Sequence, residues 1–523
     1  MGSCQEMYGH NACDYKVILP SYLINTLIII NLFLYQLIII SRFSSPCISI
    51  SKMTASSKDK YLLVPKALYF LCSCFMYAPA LYQAKYLEET WHIASKNYGY
   101  MNLVTVFSIL SSLAWSGLAD RYRAHKQVLM IKSLLYGLSY CTMWFLEPFM
   151  IYWSIQVRMA VITTLFFTTT VFCSAIFPLL GTLVFSILEN SPSLKSGTIP
   201  PKRLLGRQKL FGTLGLGFVH ALNGTLTDFI GYRAQFLIVS FTCILFFSIA
   251  YYGLDRLKTL SVNVRDSKLE ITDKQIDTVD TETSLKTVTS IPNTTSTIPS
   301  VSLKPSWTRN VKELLGNWEF VNLLIIVFLI GVCGSVFNVY FSVFMGKILI
   351  DVEWKNILMG TMNTVRLLVE IPIYIWGNVL LSYFGSYGVL LMGMLASVVR
   401  PFGYSFFVKD ESSAKLGFLF ELFKGISHAC NGLGGCVLAS DMAPPGAQGT
   451  AQALFTSAHH HAASTISGLL CTLFLTLKKE TAAPIEEKII IYRELFFWTG
   501  VLGVIGSLLN IYRLFKHKQK NKN

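Results

Sequence analysis

The chain has 523 residues, of which 53% are hydrophobic and 14% charged, with a mean hydropathy of +0.50. Soluble domains carry about 25% charged residues, so the composition excludes an ordinary soluble enzyme, a disordered chain and a secreted disulfide scaffold. The net charge of +15 falls mostly between apolar runs and in the C-terminal tail, with no basic patch interleaved with aromatics, which argues against nucleic-acid binding.

Apolar runs of about 20 residues are long enough to cross a ~30 Å hydrocarbon core as helices. The first lies at 17–41. Arg42, Lys52, Lys58, Lys60 and Lys66 follow it while only Lys16 precedes it, so 1–60 reads as a signal-anchor helix and a cytoplasmic linker. Twelve core spans come next. Six fall near 62–86, 98–118, 127–146, 159–188, 209–229 and 233–253, and six near 320–345, 355–381, 386–407, 415–439, 451–476 and 491–514. Alternating these spans across the bilayer puts Arg121, Arg123 and Lys126, then Lys202, Arg203, Arg207 and Lys209, then the 515–523 tail, all on the cytoplasmic side. The expected organisation is a six-helix bundle at 61–254, a Ser/Thr-rich linker at 255–317 predicted to be disordered, and a second six-helix bundle at 318–514. The sequon at Asn293-Thr294-Thr295 falls on the cytoplasmic side, where it stays unmodified. The 12 cysteines are scattered and read as small apolar packing residues.

Several motifs then narrow the fold. Span 2 is followed by Trp115-Ser-Gly-Leu-Ala-Asp-Arg-Tyr-Arg-Ala-His-Lys126. This resembles the G-x-L-A-D-R-x-G-R-K loop of the major facilitator superfamily, with Ser116 in place of the first glycine and Arg123 in place of the second. Span 5 opens on Leu205-Gly-Arg-Gln-Lys-Leu-Phe-Gly-Thr-Leu-Gly-Leu-Gly217, span 8 holds Val369-Glu-Ile-Pro-Ile-Tyr374, and span 9 ends on Ser397-Val-Val-Arg-Pro-Phe-Gly-Tyr-Ser-Phe406. Together with Ala443-Pro-Pro-Gly-Ala-Gln-Gly-Thr-Ala-Gln-Ala453, these are similar in order and position to the lactose-permease and nucleoside-proton-symporter branch of that superfamily. The usual arginine of the last motif is Gln448, and the helix-4 acid of the branch is Gly181 in Phe177-Pro-Leu-Leu-Gly181. The resemblance implies an all-α fold of two six-helix bundles, here with one extra N-terminal transmembrane helix, and a substrate site between the halves.

Ionisable side chains inside apolar helices cost at least ~2.5–3.5 kcal/mol each to insert, so each marks a functional position. Glu370 lies mid-span with Arg366 one turn earlier, in the i, i+4 relation that lets them pair. Arg400 ends span 9. Glu421, Lys424 and His428 share one face of span 10, with Glu421 nearer the outer end and expected to be solvated. The resemblance makes Glu370 a proton carrier, Arg400 its modulating cation, and Lys424 and His428 its helix-10 partners. Burial disfavours a charged carboxylate and a nearby guanidinium favours it, which links proton release to access. The plainer alternative is that Glu370 and Arg366 form a static pair that fixes packing. Candidate substrate contacts are Asn223, His220, Tyr77 and Asn363, and Asp120, Arg121 and Arg207 form the expected cytoplasmic gate. Gly212, Gly215 and Gly217 permit close helix approach. The run His459-His460-His461 cannot converge on one ion, because adjacent helical side chains diverge by about 100°.

The expected function is therefore proton-coupled symport of a small polar solute, sugar- or nucleoside-like, by a monomer in a lipid bilayer, with no cofactor, metal site or enzymatic activity. The same fold would also serve an uncoupled facilitator or a proton-driven exporter. A membrane sensor or scaffold that binds without moving a solute is the alternative of another class.

Overall fold

The computed structural model describes residues 63–122, 124–190, 201–254, 307–444 and 448–520. The anchor helix expected at 17–41 and most of the 255–317 linker lie outside the described residues. Within hydrocarbon every backbone polar group must be satisfied internally, which selects helices for these apolar runs. The N-terminal half comprises α1 (Leu63–Glu89), α2 (Ser95–Ala119), α3 (His125–Tyr152), α4 (Ile155–Leu188), α5 (Pro201–Ile230) and α6 (Ala234–Leu254). The C-terminal half comprises α7 (Trp318–Ile348), α8 in two parts, α8a (Lys355–Val365) and α8b (Leu367–Ile375), and a long helix, Gly377–Phe407. Gly385 (φ +67°) turns that long helix, so its first residues complete α8 and the remainder is α9. Then come α10 (Gly417–Cys430, extended through Cys436–Asp441), α11 (Thr450–Leu477) and α12 (Ile485–Lys520).

Large apolar side chains such as Leu110, Leu138, Leu473 and Leu508 point outward from these helices. Water would oppose that arrangement and lipid does not, so the protein is an integral, multi-pass membrane protein. Among the described residues nine helical segments are long and apolar enough to span a bilayer, and Pro201–Ile230, Lys355–Val365 with Leu367–Ile375, and Gly417–Cys430 are not among them. Asn363, Arg366, Glu370, Lys424 and His428 of the site lie on these exceptions, whereas Arg400 lies on Gly377–Phe407. The regularity of the site helices is also interrupted. The ladder of α8 breaks at Arg366 and again at Trp376, and the single turn Asn431–Gly435 in α10 is π-helical, as is Ser457–Ala462 in α11. Such π turns insert one residue and re-aim the side chains around them.

The linker expectation needs one correction. Residues Trp307–Gly316, predicted to be part of a disordered loop, form a helix whose Leu314 is buried against Phe320, Leu323 and Ala439. The Ser/Thr-rich composition of the loop as a whole masks the apolar spacing of Trp307, Val311 and Leu314.

The halves meet at the ends that the loop charges place outside. Tyr82 donates to the Asn356 carbonyl at 2.6 Å, Lys347 pairs with Glu88 at 3.1 Å, and Thr472 donates to the Lys96 carbonyl at 2.8 Å. Glycines let backbones touch there. A Cβ at Gly224 would lie 2.5 Å from the Asn356 carbonyl oxygen, and one at Gly360 would lie 2.5 Å from that of His220. Gly215 meets the Phe70 backbone of α1 and Gly217 the Leu367 side chain of α8, so the glycine run of α5 serves two neighbours at once. Among the described residues the hydrogen bonds that join the halves lie in this outer portion and at mid-depth.

Candidate functional site

A cavity of ≈ 110 Å³ opens at mid-depth in the C-terminal half. Its walls come from α7, α8, α9, α10 and α11, and include Asn338, Arg366, Arg400, Lys424, His428 and His460. The π turns of α10 and α11 deliver Asn431, His459 and His460 to the same space.

Two carboxylates anchor the cavity, and each is fully buried. Glu370 sits one turn past the break in α8. Its Oε1 is 2.7 Å from His428 Nδ1 and its Oε2 is 3.4 Å from Arg366 Nε. Glu421 Oε1 accepts from Arg400 Nε at 2.9 Å, Arg400 Nη2 at 2.6 Å and the Tyr404 hydroxyl at 3.1 Å. The Arg400 guanidinium also lies 3.9 Å from the centre of the Phe337 ring, a cation–π contact that strengthens when desolvated. Lys424 bridges the two clusters: Nζ donates to Asn363 Oδ1 at 2.7 Å and stands 3.8 Å from Glu421 Oε2. Ser397 and Ser427 share a short hydrogen bond between α9 and α10, and Asn431 Nδ2 donates to Ser427 at 3.2 Å.

The expected residues divide accordingly. Glu370, Arg366, Lys424, His428 and Asn363 come together around the cavity. Arg400 lines it too, but its carboxylate partner is Glu421 rather than Glu370. Glu421, expected to be solvated at the outer end, is instead a buried partner, because Arg400 and Tyr404 of α9 cover the carboxylate. His220 is buried where α5 crosses α8, with no hydrogen-bond partner at Nδ1, and Tyr77 lies within electrostatic range of Arg366 and Glu370. Asn223 faces away from the cavity: its Nδ2 donates to the Ala78 carbonyl at 2.7 Å and fastens α5 to α1. The side chains of Asp120, Arg121 and Arg207 lie outside the described residues. His459 Nδ1 lies 3.0 Å from the Val327 carbonyl oxygen and packs against α7.

Sequence reasoning missed Tyr404 and Asp228. Tyr404 stood inside the span 9 motif as an apparently apolar residue. Asp228 ends the α5 window and reads as an ordinary helix-end charge, yet both its oxygens reach across to α8a.

A family model described as the MFS_1 like family matches residues 62–479. No curated protein matches the chain. Among solved structures the fold is similar to the nucleoside transporter NupG, with a TM-score of 0.60 and 13% identity over 87% of this chain and 98% of that one. It is also similar to a POT family transporter in complex with 5-aminolevulinic acid (TM-score 0.58, 12% identity, 87% and 96% covered). A D-xylose-proton symporter gives a TM-score of 0.55 at 12% identity, covering 86% of this chain and 96% of that one. At these identities the likeness is one of fold.

Proposed function

Because the chain belongs to the MFS_1 like family, we propose that it is a secondary transporter that moves a small polar solute together with protons by alternating access. The solute is of the size of a monosaccharide or nucleoside. The observation that carries this reading is Glu370. It is a fully buried carboxylate, shared between Arg366 on its own helix and the cavity-lining His428 on the next. Such a carboxylate exchanges a proton only through a neighbour that reaches the cavity, so protonation of the pair and occupancy of the cavity are linked. The hydrogen bonds that join the halves at the outer end and at mid-depth support a rocking cycle that would break and remake them.

The test is uptake from a mixed pool of sugars, nucleosides and their charged derivatives into proteoliposomes under an imposed pH gradient, wild type against Glu370→Gln. Accumulation that requires the gradient and is lost in the variant is the expected result. Equal gradient-independent flux in both proteins would exclude coupling through Glu370 and favour a facilitator.

A further inference from the structure

On the reading that this cavity is the transported solute's site, we propose that the solute is a small organic anion, with its carboxylate or phosphate oxygens held between Arg366 and Lys424.

Charge balance is the first support. Arg366, Arg400 and Lys424 bring three cations to the cavity, and Glu370 and Glu421 bring two carboxylates. The acids of the described N-terminal half do not make up the difference. Glu88 pairs with Lys347, Glu89 with Lys85 and Glu147 with Arg233, while Asp228 binds Asn356 and Ile357, all at the outer end. Counted with its histidines neutral and Lys424 as an ammonium, the cavity carries one positive charge in excess. Inside a bilayer an uncompensated charge is expensive.

Hydrogen bonding is the second support, and it locates the anion. Glu421 Oε1 already takes three donors, and Glu370 Oε1 is held by His428. Arg366 lies beside Glu370 at ion-pair distance, yet its Nε and Nη2 are buried without a hydrogen-bond acceptor. Nη2 has no acceptor and Nε only the long contact to Glu370 Oε2, so this edge of the guanidinium can take an oxygen of a carboxylate or phosphate. Lys424, with one of its three donors on Asn363, supplies the opposing charge. A neutral solute can offer hydroxyl or carbonyl oxygens to the Arg366 donors but leaves the charge uncompensated. Glu370 Oε2 and Glu421 Oε2 also lack a hydrogen bond, but each already stands beside a cation, Arg366 at 3.4 Å and Lys424 at 3.8 Å respectively, so a cationic solute would add to the excess positive charge.

The experiment compares matched solutes on the purified full-length protein by thermal stabilisation: glucose against glucuronate and glucose 6-phosphate, and uridine against uridine 5′-monophosphate. The expected result is that an anionic member binds about tenfold or more tightly than its neutral counterpart, equivalent to ~1.4 kcal/mol. Glucuronate or the phosphates leading identifies which oxyanion is read. Lys424→Gln removes the preference while Lys424→Arg keeps it, which separates lost charge from lost folding. If no anion outbinds its neutral counterpart, the anion site is overturned. Flux is read separately. An anion that binds and is not moved upholds the site and removes the transporter reading. A neutral solute carried with protons, with no anion binding, does the reverse.

Discussion

Asp228 of α5 caps α8a across the boundary between the halves, accepting from the Ile357 amide at 2.7 Å and from the Asn356 amide at 3.3 Å and side chain at 2.7 Å. Those amides belong to the first turn of α8a, where backbone donors have no partner within their own helix. A carboxylate at that end also meets the positive end of the helix dipole. In a cycle that opens the outer side this contact would have to break, which would make it a latch.

Removing that latch has a measurable consequence. A helix cap is worth about 1–2 kcal/mol, so Asp228→Ala shifts the balance toward the outward-open state by about tenfold. Thr364, which donates to the Gly217 carbonyl at 2.9 Å inside the same contact, is a suitable reporter position. A cysteine there should label faster with an impermeant maleimide added from outside when Asp228 is alanine. An unchanged labelling rate would show that the cap does not hold the outer side shut.

Where α2 meets α11, the obstacle is steric. A Cβ at Gly468 would lie 2.5 Å from the Gly99 carbonyl oxygen and 2.9 Å from the Asn102 Cβ. Neither neighbour is the flexible end of a long side chain, so Gly468→Val cannot close without moving a helix. The expected phenotype is faster outside labelling of the Thr364→Cys reporter and loss of net uptake, with normal membrane insertion, because the valine fits once the halves part. Wild-type uptake in this variant would mean that the contact is not needed in the cycle.

The Arg400–Glu421 pair tests the cost of burying charge. Deleting one partner of a buried pair strands the other and costs about 3–5 kcal/mol, whereas replacing both with apolar residues of similar size is often neutral or stabilising. Glu421→Gln should therefore lower the thermal midpoint in detergent, and Arg400→Met with Glu421→Leu should recover most of it. Recovery of stability without recovery of uptake would place the pair in function rather than in folding. A double variant as unstable as Glu421→Gln would show that Tyr404 and Phe337 depend on the charges themselves.

Much of this was legible in the sequence, and the gaps have physical causes. The apolar windows located the helices because a bilayer admits few alternatives, and the i, i+4 spacing of Arg366 and Glu370 put them on one face before any tertiary contact was known. The spacing of Glu421, Lys424 and His428 likewise marked one face of α10. What spacing within one helix cannot supply is relative depth between helices. Arg400 was matched to Glu370 by resemblance, yet the register of α9 against α10 places Glu421 beside it. Backbone irregularities were equally hidden: the π turn at Asn431–Gly435 falls on an Asn-Gly-Leu-Gly-Gly run with no periodicity to betray a shifted hydrogen-bond ladder. Asp228 was silent because a cap supplied by another helix leaves no local pattern.

His428 is the remaining test of coupling. Its side chain is 40% exposed while that of Glu370 is 0% exposed, and the two are 2.7 Å apart. On the proposed coupling, a proton from the cavity would reach Glu370 by way of His428, which lies between the carboxylate and the cavity. His428→Ala should reduce gradient-driven uptake about tenfold or more, within the range lost when a positioned proton-transfer group is removed. Solute exchange at equal pH on both sides should persist, since it needs no net proton movement. His428→Gln restores a polar partner for Glu370 but no titratable one, so it should preserve stability and leave coupling broken. If His428→Gln transports like the wild type, the imidazole is a structural hydrogen-bond partner and the proton reaches Glu370 by another path.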